Sequence, residues 1–257
     1  MSTCVECGAS VVNLYTQYSK DNIRLTTCVR RRLAMDQCNN FADKYIEHDL
    51  IIIFIDMLLH KPQVYRHLLF NRITEQDGVE PHVFRFGILL ILFEVYIKWF
   101  RLERHYTDYD AKFIEQPLYY QYLYILTLCI FEFIVFHCCI NFAIRLYHRN
   151  QIKRIRHNYV SMALIISSFG KMLLILMVIW DYKQLEYSWL VSIIVLASNT
   201  EALSVYLSIP YFQTLLIILI GILGRVCAQF VFLYFTYFNE QQDNVPFYLT
   251  KSQWVSI

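Results

Sequence analysis

The sequence of 257 residues has little charge and few of the residues that interrupt helices. Charged side chains make up 17% of it, against about 25% in soluble domains. With only six glycines and five prolines, a loop-rich fold is not expected. No hydrolase nucleophile elbow, phosphate-binding loop or H-E-x-x-H motif occurs, so no enzyme class is indicated. No charged-then-apolar leader opens the sequence, and we therefore expect internal helices to direct membrane insertion.

Apolar residues take the place of the missing charge. Hydrophobic side chains account for 57% of the sequence and aromatic ones for 17%, and several apolar runs are long enough to cross a bilayer. These features predict a mostly α-helical, polytopic membrane protein with four to five spans. The net charge of +2 arises from local basic clusters beside apolar runs, which does not indicate a nucleic-acid partner.

The predicted transmembrane body covers residues 82–238, followed by a polar C-terminal tail at 239–257. Its apolar runs predict spans at Val83–Phe100, Leu118–Ile144, Tyr159–Trp180, Trp189–Ile209 and Tyr211–Phe238. The fourth run is polar at its centre, so it is either a span broken at its midpoint or a re-entrant pair.

The distribution of basic residues predicts the orientation. The loop Arg145–His157 is strongly basic and has no acidic residue, so it is expected on the cytosolic side. The region before Val83 lies two spans earlier and is then cytosolic too. The Asp181–Tyr187 loop falls on the opposite, lumenal side.

Residues 1–42 form a polar head with four cysteines. Cys4 and Cys7 are two residues apart and are followed by Gly8, which allows the tight turn of a zinc knuckle. With Cys28 and Cys38 they predict one zinc ion bound by four thiolates, and the alternative is four reduced thiols without a ligand. A disulfide framework is less expected in reducing cytosol.

Two segments of the head favour a β-hairpin. Val11–Tyr18 and Ile23–Thr27 alternate partly and are rich in β-branched and aromatic residues, and Ser19–Asn22 supplies a turn. The fold predicted for the head is therefore a small zinc-ribbon-like module.

Residues 43–81 are predicted to couple this head to the membrane body. Leu50–Leu59 is apolar except for Asp56 and is stopped by Pro62. A run of this length is too short for a span and suits a buried, re-entrant or interfacial helix. The alternative is an ordinary pair of linker helices.

The coupling segment also carries a family resemblance. The motifs DKYIE and FID, and the spacing of Lys61 before Tyr65, Arg66, His67 and the LLFN that follows, resemble the ARV family of endoplasmic-reticulum membrane proteins. That family has a small cysteine module directly before DKYIE. Its second cysteine pair is C-x-x-C, so the residues between Cys28 and Cys38 resemble an insertion, with Met35 at the position of the earlier family cysteine.

The resemblance implies a function in lipid homeostasis without enzymatic activity. It implies sterol transport from the endoplasmic reticulum to other membranes, with effects on sphingolipid metabolism. The alternative that it implies is an accessory factor for early glycosylphosphatidylinositol-anchor (GPI-anchor) biosynthesis. The expected partners are membrane lipids, namely sterol and phosphoinositide or GPI precursors, and other membrane proteins. A minor alternative is an intramembrane acyltransferase that uses His137 and Asn141.

Two groups of residues are candidate lipid contacts. Tyr65, Arg66 and His67 are expected at the membrane interface, where Arg66 could bind a phosphate in a bidentate way. Within the spans, the polar residues either neutralise one another between helices or line a lateral cavity for a lipid headgroup or a sterol hydroxyl. They are Glu132, Lys171, Glu201 and Arg225, and in the first span Glu94 and Lys98 are one helical turn apart.

Overall fold

The computed structural model describes residues 2–19, 22–29, 31–32, 36–73, 78–104, 116–147, 156–180 and 184–242. Within these ranges, a head of short strands is joined through a helical hairpin to a bundle of long helices. Most of the predicted basic loop, part of the predicted lumenal loop and the tail after Gln242 lie outside the described residues.

The described part of the head contains three antiparallel strand pairs: β1 (Ser2–Thr3) with β2 (Ser10–Val11), β3 (Tyr15–Ser19) with β4 (Asn22–Leu25), and β5 (Arg31–Arg32) with β6 (Asp36–Gln37). The pair β3–β4 is the predicted hairpin. Its first strand begins later than expected because Val11 pairs with Ser2 of β1 instead.

A helical hairpin follows the head. A 3-10 turn at Lys44–Ile46 leads to α1 (Leu50–Leu58), and α2 (Pro62–Arg66) continues as π-helical turns over His67–Arg72. Pro62 stands in the first turn of α2, where a backbone N–H would have no hydrogen-bond partner within the helix, so its absence in proline costs nothing. The chain reverses between the two helices at His60, which has a φ of 52°.

The bundle consists of α3 (Pro81–Arg104), α4 (Leu118–Tyr147), α5 (His157–Ser167), a 3-10 segment (Ser168–Leu173), α6 (Leu174–Trp180), α7 (Gln184–Leu207) and α8 (Tyr211–Gln242). Four stretches of the described chain are long and apolar enough to cross a membrane: Leu118–Tyr147, His157–Leu176, Tyr187–Leu207 and Tyr211–Phe235. The stretch His157–Leu176 consists of α5, the 3-10 segment and the start of α6, and the third predicted span, Tyr159–Trp180, continues to the end of α6.

Helix α3 occupies the first predicted span and has 24 residues, enough for about 36 Å. It is not one of the four most apolar stretches. Arg85, Glu94 and Lys98 give it more charge than the other spans.

Helix α7 is continuous through its polar centre, so the fourth predicted span is neither broken nor a re-entrant pair. The polar side chains at its centre find partners on neighbouring segments. Ser198 Oγ lies 2.7 Å from Tyr65 Oη, and Ser167 Oγ donates to Asn199 Oδ1 at 2.5 Å. Because these groups are satisfied by side chains, the helix keeps its own backbone hydrogen bonds.

Helices α4 and α8 approach each other closely at two glycines. A Cβ on Gly221 would lie 2.5 Å from Ile140 Cγ1, and one on Gly224 would meet Cys139 Cβ at 3.1 Å. Small residues at such crossings allow close backbone packing between membrane helices.

Candidate functional site

The four head cysteines converge on one point. Their Sγ atoms all lie within 4.8 Å of one another, with 4.0 Å between Cys4 and Cys38 and 3.7 Å between Cys7 and Cys28. A tetrahedron with zinc–sulfur bonds of about 2.3 Å has edges of about 3.8 Å. The thiol geometry is therefore compatible with one tetrahedral metal ion.

The backbone around the cysteines explains this convergence. Gly8, with a φ of 72°, closes the knuckle turn by donating its N–H to Cys4 O at 2.9 Å. Cys28 N–H donates to Asn40 O at 2.9 Å, which places Cys28 beside the chain that follows Cys38. The described part of the insertion pairs with itself as β5 and β6, and the four thiols still lie together.

Cys4 and Cys7 differ in their acidity. Burial raises the pKa of the Cys4 thiol to about 12. Burial opposes ionisation of Cys7 as well, but hydrogen bonds from the Ala9 N–H and from neighbouring thiols lower the pKa of Cys7 overall. Of these two thiols, Cys4 is the one whose ionisation has the greater need of a bound cation, because metal binding requires the thiolate.

A buried joint connects the head to the helical hairpin through Asp43, which is fully buried. Its carboxylate accepts hydrogen bonds from His67 Nδ1 and Asn71 Nδ2, both at 2.7 Å, and from the Tyr45 N–H at 3.0 Å. The Asn71 amide also donates to Thr3 O and accepts from the Thr3 N–H. One carboxylate therefore connects strand β1, the 3-10 turn and the π-helical turns.

Arg66 fastens the cysteine knuckle to α2. Its Nη1 donates to Val5 O at 2.7 Å and to Glu6 O at 3.0 Å. The Glu6 carboxylate in turn accepts from Lys44 at 3.1 Å and from Gln63 at 3.2 Å. The backbone directly after Cys4 is thereby held against the helical hairpin.

Tyr65 connects the hairpin to the membrane body. Its side chain is fully buried in an apolar cluster that includes Val5, Tyr45, Val64 and Ala202. Burial raises the pKa of its hydroxyl to about 12, and that hydroxyl is the group that contacts Ser198 of α7.

The positions of Tyr65, Arg66 and His67 differ from the expectation that they face lipid headgroups. Tyr65 and His67 are buried, and the Arg66 guanidinium donates to main-chain carbonyls of the head. The physical reason is that the head covers this face of α2. Its main-chain carbonyls accept the hydrogen bonds from Arg66 that the sequence analysis assigned to lipid phosphates.

Asp56 is the acidic residue of α1, and it faces inward. Its carboxylate accepts from Lys61 Nζ at 2.6 Å and from Tyr45 Oη at 2.8 Å. Asp56 therefore ties the apolar helix α1 back to the joint.

A second polar site lies inside the bundle, around Glu132 of α4. Its carboxylate accepts from Lys98 Nζ of α3 at 2.5 Å, and from Arg225 Nε and Gln229 Nε2 of α8 at 2.9 and 3.0 Å. The Glu132 side chain is 2% exposed, so it is sealed from lipid.

Glu94 extends this charge network toward the bundle surface. It accepts from Lys171 Nζ at 3.0 Å and from the Arg225 guanidinium, and it lies 3.8 Å from Lys98. Glu132 and Arg225 thus pair directly, and Lys171 joins them through Glu94. The Glu94 and Lys171 side chains are 20% and 26% exposed, which makes them the accessible edge of the network.

Glu201 and His137 lie outside the network. The Glu201 carboxylate accepts from Tyr211 Oη at 3.3 Å. His137 Nδ1 donates to Phe133 O at 2.8 Å, and Asn141 donates to the main-chain carbonyl of His137. The hydrogen bond between His137 and Asn141 therefore does not involve the imidazole ring.

Together, the four-cysteine head, the buried joint and the apolar helices define a polytopic α-helical membrane protein with an N-terminal module suited to a metal ion. The chain belongs to the Arv1-like family, whose family model matches residues 3–203. Membership supports a role in lipid and sterol homeostasis.

Curated relatives extend this match over most of the chain. "Protein arv1 homolog" of Dictyostelium discoideum is 38% identical over 236 residues, covering 88% of this chain and 93% of that protein. "Protein arv1" of Schizosaccharomyces pombe is 38% identical and covers 95% and 90%. "Protein ARV1" of Homo sapiens is 28% identical and covers 97% and 87%. No solved structure matches the chain.

Proposed function

We propose that this protein distributes sterols from the endoplasmic reticulum to other membranes, with effects on sphingolipid metabolism, and that it does so without catalysing a reaction. Family membership supports this function. The observation that carries it is the charge network, because Lys171 lies within a candidate span, its partner Glu94 lies on the adjacent helix α3, and both side chains are accessible to a lipid.

The accessible edge offers both kinds of hydrogen-bonding partner. A sterol hydroxyl can donate to the Glu94 carboxylate and accept from the Lys171 ammonium, which lie 3.0 Å apart. Glu132 would remain sealed beneath them and hold Lys98 and Arg225 in place. In this proposal the network is a polar binding site for a lipid inside the membrane.

The head would serve as a rigid platform on the cytosolic side. Cys4, Cys7, Cys28 and Cys38 would hold one zinc ion, which supplies structural cross-linking when bound. The joint at Asp43 and Arg66 would then transmit the position of the head to α7 through Tyr65. The basic residues predicted on the same side as the head support the cytosolic orientation.

Sterol transfer between liposomes tests this function. Purified protein is expected to accelerate transfer of a fluorescent sterol, and Lys171→Met is expected to reduce the acceleration at least several-fold. Lys44→Met is the control, because Lys44 also pairs with a glutamate but lies in the 3-10 turn beside the head, outside the candidate spans. Equal transfer by both variants and the unaltered protein would overturn the role of the network.

The alternative function is assistance to early GPI-anchor biosynthesis. One observation favours it: the described network holds three cations, Lys98, Lys171 and Arg225, against two carboxylates. Such an excess suits a phosphate better than an uncharged hydroxyl. Capture with a photoreactive phosphoinositide but not with a photoreactive sterol, lost in Lys171→Met, would support this alternative over sterol transport.

A further inference from the structure

Helix α1 presents an apolar face that the rest of the described chain leaves uncovered. Its charged residue, Asp56, faces inward, and Ile53 is buried. The exposed side chains are all large and apolar: Leu50, Ile51, Ile52, Phe54, Ile55 and Leu59. Soluble proteins rarely expose a contiguous apolar surface of this kind, so its surroundings require an explanation.

The helical hairpin runs alongside α7, within the length of a candidate span. His60 at the hairpin tip contacts Ile194 O at 3.1 Å, and the Tyr65 hydroxyl contacts Ser198. Further along, Phe70 stacks on Tyr206 with ring centroids 6.2 Å apart. The hairpin therefore lies along α7 from its tip at His60 to its base at Phe70.

These contacts determine how deep in the membrane the tip of the hairpin lies. The candidate span of α7 is Tyr187–Leu207, 21 residues in length, or about 31 Å. Ile194 precedes the end of this span by 13 residues, or about 20 Å. The tip thus lies well inside the thickness of the bilayer, measured from the end of α7 nearest the head.

The outer face of α1 also contacts another span through Phe54. Phe54 packs edge-on against Phe169 with centroids 5.6 Å apart. On the same span, Met172 and Ile175 follow Phe169 and are exposed. Apolar side chains that are exposed on α1 and on the span it contacts are best accommodated by the hydrocarbon of the bilayer.

We infer that α1 is a re-entrant membrane helix, and that its outer face contacts the acyl chains of the leaflet on the side of the head. Nine residues rise only about 13 Å, so α1 enters the leaflet and returns through α2 without crossing. Asp56 is compatible with this depth because Lys61 and Tyr45 satisfy its carboxylate. The inference requires the membrane location but not the proposed lipid transport.

Photocrosslinking in the full-length chain tests the inference. A benzophenone amino acid is placed at position 51 or 55, and membranes are illuminated before the protein is purified and analysed by mass spectrometry. Position 193 is the positive control, because Ile193 is 60% exposed in a candidate span. Position 12 is the negative control, because Val12 is 94% exposed on the head.

Lipid adducts at positions 51 and 55, at a yield within about twofold of position 193 and absent at position 12, are the expected result. Since both side chains are exposed, unfolding is not expected, and the melting temperature of each variant verifies this. Adducts to a protein, or a lipid yield no higher than that at position 12 in a folded variant, would overturn the inference and indicate a protein partner or contact with water.

Discussion

The joint and the charge network solve the same problem, the burial of polar groups, in different ways. The joint uses one fully buried carboxylate, Asp43, surrounded by a histidine, an amide and a main-chain N–H. The network uses two carboxylates, Glu94 and Glu132, that share three cations from three segments. The joint connects neighbouring segments, whereas the network connects α3, α4, α8 and the 3-10 segment.

This difference predicts how strongly a single substitution destabilises each of the two sites. In the joint, an amide and a main-chain N–H supply two of the three hydrogen bonds to the carboxylate, so the loss of one of these partners leaves no cation without an anion. In a network of buried ions, the loss of a shared carboxylate leaves several cations without an anion. We therefore expect the network to be the more fragile of the two in single substitutions.

The largest effect is expected when the metal site is removed. Structural zinc contributes about 10–16 kcal/mol in small modules, so Cys4→Ser should unfold the head and release the carbonyls of Val5 and Glu6 from Arg66. Hydrogen exchange should show loss of protection in β1–β4 and unchanged protection in α4. Cys138→Ser, at an exposed cysteine of α4, should change neither, and retained protection of the head in Cys4→Ser would contradict a metal-dependent fold.

Removing the shared carboxylate should break the network. Glu132→Gln leaves Lys98 and Arg225 with less anionic charge, which should cost about 3–5 kcal/mol, whereas Glu201→Gln affects a carboxylate hydrogen-bonded by Tyr211 and should cost about 1 kcal/mol. Thermal unfolding in detergent compares the two variants. Equal losses would mean that shared ion pairs do not distinguish the network from an isolated buried glutamate.

A smaller effect is expected at the joint. Asp43→Asn removes the charge that His67 and Asn71 share, and should destabilise the protein by about 2 kcal/mol. Asp49→Asn is the control, because Asp49 is exposed and makes no capping hydrogen bond. Limited proteolysis between the head and α3 should accelerate in Asp43→Asn alone. If Asp43→Asn were as destabilising as Glu132→Gln, the contrast between the two designs would be wrong.

The smallest effect is expected at the surface of the head. The Lys44 and Glu6 side chains are 38% and 25% exposed, and pairs of this kind contribute at most about 1 kcal/mol. Lys44→Met should therefore shift the unfolding midpoint only slightly, and high salt should shrink the difference further. A loss above about 2 kcal/mol would place Lys44 within the joint.

Local spacing was sufficient to predict a hairpin and a cysteine knuckle in the head. Cys4, Cys7 and Gly8 define a turn whose geometry depends only on neighbouring residues, and the structure brings Cys28 and Cys38 to the same point. The order and apolar character of the helices were also predictable, because the length and composition of a run determine whether it can span a bilayer. The family assignment is confirmed by the match over residues 3–203.

The sequence interpretation missed the burial of Tyr65 and His67 and the contact of Arg66 with the head, because it could not show which surface covers α2. One signal was present: His67 and Asn71 are four residues apart and so share a helix face, which Asp43 and Thr3 of the head meet. The complete network was not predictable either. Glu94 and Arg225 are 131 residues apart, and helical periodicity does not encode which distant helices meet.

The two glycines of α8 determine the geometry of the network although they carry no chemistry. Gly224 directly precedes Arg225, and both it and Gly221 lie against α4, which also carries Glu132. The missing Cβ atoms thus fix the distance and the rotation between the helices that bear the cation and the anion. Selection that preserves the charge pair would therefore limit side-chain volume where α4 and α8 cross. A bulkier residue at 221 or 224 would require a smaller one at 140 or 139.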